Sequence, residues 1–186
     1  ITAIAIPASV LTIGYQAFNN TTSLATVSIS SAMTSYGTDA FATGSTTTNL
    51  VVTVTGTNDS TDLTAWRNHA NEYDAKFSVG AGKTVTFKDA NSSIYAQTVA
   101  LVDYLFTVAV DKATITGASA LNTVTALTLP GSFTVGAAAA YDVTAIGATA
   151  FNGNGTITSV TIPASVVTIG TDAFYNTQSL TALAFD

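Results

Sequence analysis

Apolar and polar positions alternate in this chain in blocks that recur. The block Ile6-Pro-Ala-Ser-Val-Leu-Thr-Ile-Gly-Tyr-Gln-Ala-Phe18 returns near the other end as Ile162-Pro-Ala-Ser-Val-Val-Thr-Ile-Gly-Thr-Asp-Ala-Phe174. Gly14 and Gly37, Phe18 and Phe41, Gly147 and Gly170, and Phe151 and Phe174 are each 23 residues apart. A fixed period of this length predicts a solenoid, whose units cannot bury their apolar side alone and must stack.

Each unit has one grammar. Leu24-x-x-Val27-x-Ile29, Ile157-x-x-Val160-x-Ile162 and Leu180-x-x-Leu183-x-Phe185 end in an apolar-polar-apolar step, the mark of a strand with one buried face. All three prolines, Pro7, Pro130 and Pro163, follow that strand directly. Proline lacks an amide donor, so each marks where the chain leaves its sheet. A second short apolar segment follows, Val10-x-x-Ile13-Gly14 or Val166-x-x-Ile169-Gly170, and then an Ala-Phe pair ending at Phe18, Phe41, Phe151 or Phe174. Stacked phenylalanines would form a spine. The polar links 19–23 and 175–179 suit surface turns.

The middle of the chain breaks the pattern. Leu63, Trp66, Ala70 and Tyr73 lie at spacings of 3, 4 and 3, one face of a helix over about 61–73 with Ser60 or Thr61 as N-cap. Gly80-Ala-Gly-Lys83 predicts a hinge, giving a first domain at 1–79 and a second at 84–186. Tyr104–Val110 and Ala113–Thr116 flank Asp111-Lys112, which predicts a β-hairpin opening the second domain. Leu129 and Ile162 are 33 residues apart, and a loop around Gly136–Tyr141 is expected to absorb the surplus of ten.

The string I-P-x-S-V-x-x-I-G-x-x-A-F-x-x-x-x-S-L resembles the BspA-type leucine-rich repeat of bacterial and protist surface proteins, over about 1–44 and 124–186. The resemblance implies a mainly β leucine-rich-repeat solenoid of 23-residue repeats in two short arrays, with a capping helix and a β-hairpin between them. Such repeats usually carry Cys in the loop after Ala-Phe. Thr21, Asn154 and Thr177 stand there instead, which leaves the repeat intact without a cysteine ladder.

Composition narrows the functions. At 47% hydrophobic residues and mean hydropathy +0.42 the 186-residue chain can bury a core. No uninterrupted apolar run approaches the roughly 20 residues of a membrane helix, so no membrane insertion is expected in this segment. A net charge of −6 with five Lys and Arg offers no basic stripe for nucleic acid. There are no cysteines for a disulfide or a thiolate metal site. The chain opens in Ile1-Thr-Ala-Ile-Ala-Ile6 and ends in Leu180-Thr-Ala-Leu-Ala-Phe185, both inside a repeat, so it is expected to be a processed or excised piece of a longer protein.

Candidate chemistry is sparse. Gly80-Ala-Gly82-Lys83-Thr84 resembles the end of a phosphate loop, but Phe77 stands where its first glycine is needed and a strand pattern follows. His69 is the single histidine, beside Glu72 on the predicted helix. Asn58, Asp59 and Asp62 cluster oxygens without calcium-loop spacing and also read as a turn and helix cap. Asp39 and Asp172 share a repeat position, but Gln16 and Thr149 fill it elsewhere, so no carboxylate ladder forms. Trp66 and Tyr36 read as core, Tyr36 taking the place of Ile13. Sequons begin at Asn19, Asn20, Asn58, Asn91 and Asn154.

No catalytic, cofactor-binding or metal residues are therefore assigned, and the chain is not expected to be an enzyme. The outward strand positions, Ala25, Thr26, Ser28, Ser159, Thr161, Thr181, Ala182 and Ala184, are small and uncharged, which suits close packing against another sheet. The resemblance implies an extracellular or cell-surface location. The expected role is a structural or adhesive module that associates with itself into a filament, sheath or layer. The alternatives are a monomeric adhesin for a host or matrix protein, or a carbohydrate-binding accessory domain of a surface enzyme, with Tyr15 or Tyr175 stacking on sugar. Ice binding by threonine ranks is disfavoured by their irregularity.

Overall fold

The computed structural model describes residues 1–42, 49–56, 84–92, 94–99, 102–119, 124–136, 138 and 140–186. The chain forms two compact units, one of residues 1–96 with 135–138, the other of 97–134 with 139–186. The expected helix over 61–73 and the hinge at 80–83 lie outside the described residues. Among the described residues every regular element is a strand.

The first unit is built by translation. Strands β1 (Ala3–Ala5), β3 (Thr26–Ser30) and β5 (Leu50–Thr55) stack in parallel, Ala3 beside Thr26 and Thr26 beside Val51. The short strands β2 (Thr12–Ile13) and β4 (Ser35–Tyr36) pair in the same sense on the other side of each repeat, Ile13 beside Tyr36. The turn between the two sides follows from the proline, whose carbonyl accepts the Val10 amide at 3.0 Å. Leu24, Val27, Ile29, Phe41, Leu50 and Val52 fill the interior with at most 1% exposure. Tyr36 is buried with them, as its repeat position predicts.

Beyond β5 lies β6 (Val85–Asp89), parallel to it with Leu50 beside Val85. The turn into β7 (Ile94–Val99) is held by the buried Asp89, whose carboxylate accepts the amides of Ile94 at 2.9 Å and Asn91 at 3.2 Å. Thus the strand after the expected hinge pairs within the first unit, and the units divide between Ala96 and Gln97.

The second unit starts from a hairpin, β8 (Val102–Ala109) and β9 (Lys112–Ser119), with Ala109 opposite Lys112. Its two-residue loop is therefore Val110-Asp111, one residue earlier than the sequence suggested. β12 (Ala140–Ile146) runs parallel to β9, and β14 (Thr168–Ile169) parallel to β12. A separate parallel sheet holds β10 (Ala126–Thr128), β13 (Ser159–Ile162) and β15 (Ala182–Phe185). Its steps are Ala126 to Ser159 and Ser159 to Ala182, so the long unit keeps the register of the short one.

The loop expected around 136–141 is in part a strand. β11 (Ser132–Thr134) pairs antiparallel with the start of β12, Phe133 opposite Tyr141. Those rings stack at 5.2 Å, and Phe133 also stacks on Phe106 at 4.1 Å. An open loop would leave Phe133, which is 3% exposed, without its cover.

Candidate interaction surface

The turn side of each repeat explains its least obvious residues. Gln16, Asp39, Thr149 and Asp172, at one repeat position, all have φ between 53° and 58°. Asn20, Gly153 and Asn176, four residues on, have φ of 58°, 73° and 55°. These left-handed positions make the corner after the glycine, and Asn, Asp and Gly tolerate them best. Asp39 and Asp172 thus serve backbone geometry. Among the described residues no group of three His, Cys, Asp or Glu side chains converges.

Thr21 and Thr177, at the place where cysteine was expected, donate their hydroxyls to the carbonyls of Phe18 at 2.7 Å and Phe174 at 2.6 Å. Asn154 closes the same corner differently, its Oδ1 accepting the amides of Thr156 at 3.0 Å and Ile157 at 2.9 Å. Hydrogen bonding thus shapes this loop in all three repeats.

Adjacent repeats are joined along the turn side by a fixed set of backbone bonds. The amides of Gln16, Phe18 and Asn20 donate to the carbonyls of Thr38, Ala40 and Ala42 in the next repeat. Thr149, Phe151 and Gly153 do the same to Thr171, Ala173 and Tyr175. In the opposite sense, Gly37 donates to Ile13 at 2.7 Å and Gly170 to Ile146 at 2.8 Å. Phe18 stacks on Phe41, and Phe151 on Phe174, both at 5.1 Å, which is the predicted spine.

The same interface is exposed where stacking stops. Nine large apolar side chains are exposed among the described residues. Ile1, Leu11 and Tyr15 lie in the first repeat; Val167, Ile169, Tyr175, Leu183 and Phe185 lie in the last full repeat or the strand after it. Only Val110, at the hairpin tip, lies elsewhere. Phe185 is 67% exposed while its register partner Ile162 is 1% exposed, and Ile169 is 44% exposed beside Ile146 at 1%.

The sheet faces are quieter. Thr26, Thr181, Ala182 and Ala184 are exposed, and Ala25, Ser28, Ser159 and Thr161 half-buried, so the outward strand positions are small and uncharged as read from the sequence. Threonine hydroxyls there reach back one repeat, Thr158 to the Thr125 carbonyl at 3.0 Å and Thr181 to that of Thr158 at 3.2 Å. Of the remaining sequence candidates, Tyr15 and Tyr175 are well exposed, as are Asn19, Asn20 and Asn91. Asn58, Asp59, Asp62, Trp66, His69, Glu72 and Gly80–Lys83 lie outside the described residues.

A chain of parallel repeats with strands on one side, tight turns on the other and a phenylalanine between them is a leucine-rich-repeat protein. More narrowly, it belongs to the BspA-type leucine-rich-repeat family, whose repeat region matches in six copies over residues 1–71 and 139–186. No curated protein matches the chain. Among solved structures, it is similar to a leucine-rich repeat protein from Bacteroides capillosus ATCC 29799, with 32% identity over 49% of this chain and 65% of that one, TM-score 0.44. It is also similar to a leucine rich cell surface protein from Faecalibacterium prausnitzii A2-165, 17% identical over 100% of this chain and 70% of that one, TM-score 0.41. A leucine-rich repeat protein from Eubacterium ventriosum ATCC 27560 is 15% identical over 100% of this chain and 60% of that one, TM-score 0.33. The chain thus spans less than two thirds of the Bacteroides and Eubacterium proteins.

Proposed function

We propose that this chain is an extracellular, non-catalytic structural module that associates with itself into a filament, sheath or layer. The observation that carries the reading is the outward strand face, small and uncharged at Thr26, Ser28, Ser159, Thr161, Thr181 and Ala182, which suits close packing against another sheet or chain. With 9% charged residues, little repulsion opposes approach. The surface location is supported by the family and by the cell surface protein among the similar structures. In this reading the chain comprises two short arrays, the first closed by a helix over about 61–73.

Sedimentation velocity across a wide concentration range tests the proposal. Species growing with concentration support it; a monomer throughout contradicts it and leaves the monomeric adhesin. Glycan binding lost on substituting Tyr15 or Tyr175, both exposed, would favour the carbohydrate-binding alternative.

A further inference from the structure

The corner over residues 152–157 departs from the others in its polar residues. Where the equivalent turns read Asn19-Asn-Thr-Thr-Ser23 and Tyr175-Asn-Thr-Gln-Ser179, this one reads Asn152-Gly-Asn-Gly-Thr156, which holds both Asn-Gly steps of the chain. The first glycine has a structural reason. Gly153 sits at the left-handed corner position with φ of 73°, and its amide donates to the Tyr175 carbonyl at 2.8 Å. Gly155 has no reason of that kind. Its φ is not positive, and a Cβ there would meet nothing within 4 Å among the described residues. The matching repeat positions carry the exposed side chains of Thr22 and Gln178. Neither backbone conformation nor packing calls for glycine at 155.

What Gly155 does have is Asn154 directly before it. Asn154 Oδ1 accepts three hydrogen bonds, from the amides of Thr156 at 3.0 Å and Ile157 at 2.9 Å and from the Thr156 hydroxyl at 3.2 Å. The bond to the Thr156 amide closes a ring that contains the Gly155 nitrogen, so the side-chain carbonyl carbon, Cγ, is turned toward the peptide that follows it. Three donors on one carbonyl oxygen draw electrons from Cγ and stabilise negative charge on Oδ1, the arrangement of an oxyanion hole. The nucleophile this arrangement suits is the Gly155 nitrogen. Among the described residues nothing accepts its proton, and the missing side chain leaves it open to close approach. Ser179 of the next repeat holds the same peptide from the other side, donating its hydroxyl to the Gly155 carbonyl at 2.6 Å.

We propose that Asn154 is a self-modifying site, at which the folded chain converts its own asparagine to aspartate. The Gly155 nitrogen gives up its proton and bonds to Cγ, while the carbonyl electron pair moves onto Oδ1. That pair then returns to Cγ, the bond from Cγ to the side-chain nitrogen breaks, and the nitrogen takes up a proton and leaves as ammonia. The product is a five-membered cyclic imide. Water opens it, giving aspartate where the bond at Cγ is cut and isoaspartate where the bond at the main-chain carbonyl is cut. One water is consumed and one ammonia released. An aspartate carboxylate stays on the same three donors, now through charge-assisted bonds, whereas isoaspartate lengthens the main chain and leaves them. The fold therefore steers the opening to aspartate, and the corner gains one negative charge.

Peptide mapping by mass spectrometry tests the site, following the folded protein in neutral buffer with the urea-unfolded chain alongside. In the unfolded chain Asn152 and Asn154 should convert at similar rates. In the folded protein Asn154 should convert at least about 10-fold faster than Asn152 and no slower than in urea, chiefly to aspartate. Gly155→Gln, which takes the residue of the next repeat, should keep the circular dichroism spectrum and slow conversion at Asn154 by at least about 10-fold. Thr156→Val should slow Asn154 and leave Asn152 unchanged. Conversion at Asn154 that is slower folded than unfolded, or no faster than at Asn152, overturns the site. An unchanged rate in Thr156→Val overturns the role of the donors on Oδ1, and a folded product that is mainly isoaspartate overturns the steering.

Discussion

Replacing Gly37 by alanine tests directly whether the repeats are stacked as described. The new methyl would sit 2.3 Å from the Tyr15 nitrogen, 2.4 Å from the Gly14 carbonyl carbon and 2.6 Å from its oxygen. All three are backbone atoms, so no rotamer change relieves the contact. The two repeats must separate locally, against the Gly37 to Ile13 hydrogen bond of 2.7 Å and the Phe18–Phe41 stack. Overpacking of this kind costs about 1–3 kcal/mol, and a weakened backbone hydrogen bond adds about 1 kcal/mol. Reduced freedom of the unfolded chain returns roughly 0.4–1 kcal/mol. The expected net loss is about 2–3 kcal/mol, confined to the transition of the first unit. Urea unfolding followed by far-UV circular dichroism, at concentrations where the chain is monomeric, measures it. Gly14→Ala is the matched control and should be neutral or stabilising by up to about 1 kcal/mol. A Gly37→Ala variant within about 0.5 kcal/mol of wild type, or a Gly14→Ala variant equally damaged, would refute the stacking geometry.

Further expectations concern the second unit. Phe151→Ala, at a position 2% exposed and stacked on Phe174, should cost about 3–5 kcal/mol in urea unfolding, and Phe174→Ala clearly less because its own outer face is open. Val110, 96% exposed, has φ of 62° at the first position of a two-residue hairpin loop, where glycine is preferred. Val110→Gly should therefore raise stability by about 1 kcal/mol in the same assay, and a loss of stability would contradict the hairpin geometry. Burial pushes the Tyr104 phenol up, and the hydrogen bond to Asp142, followed by the charges of Asp111 and Asp142, pushes the surface Lys112 up. Both groups favour the fold when protonated, so their contribution is complete below about pH 10 and falls away as pH rises beyond it. Alkaline unfolding should coincide with ionisation of Tyr104, read by its ultraviolet absorbance, and Tyr104→Phe should shift the alkaline limit upward; an early, independent ionisation would contradict its burial.

The repeat was legible because stacking imposes a period, and a period survives when individual residues vary. Tyr36 at the place of Ile13 is the clearest case: its position alone placed it in the core, where the structure has it. The corners were harder to read. Gln16 and Thr149 occupy a left-handed position that glycine or asparagine would have announced, and the surrounding turn, not the side chain, holds that geometry. The loop that the sequence places around 136–141 takes in the start of β12, which begins within a run of alanines, and no local pattern marks β11. Its evidence is the stacking of Phe133 between Phe106 and Tyr141, a contact between distant positions that no local pattern records. That Gly14 has open space around it required coordinates.

Electron microscopy of the natively purified material, with intact-mass measurement of its chain, tests self-association most directly. The account predicts regular fibres or sheets; dispersed single particles at every concentration would contradict it.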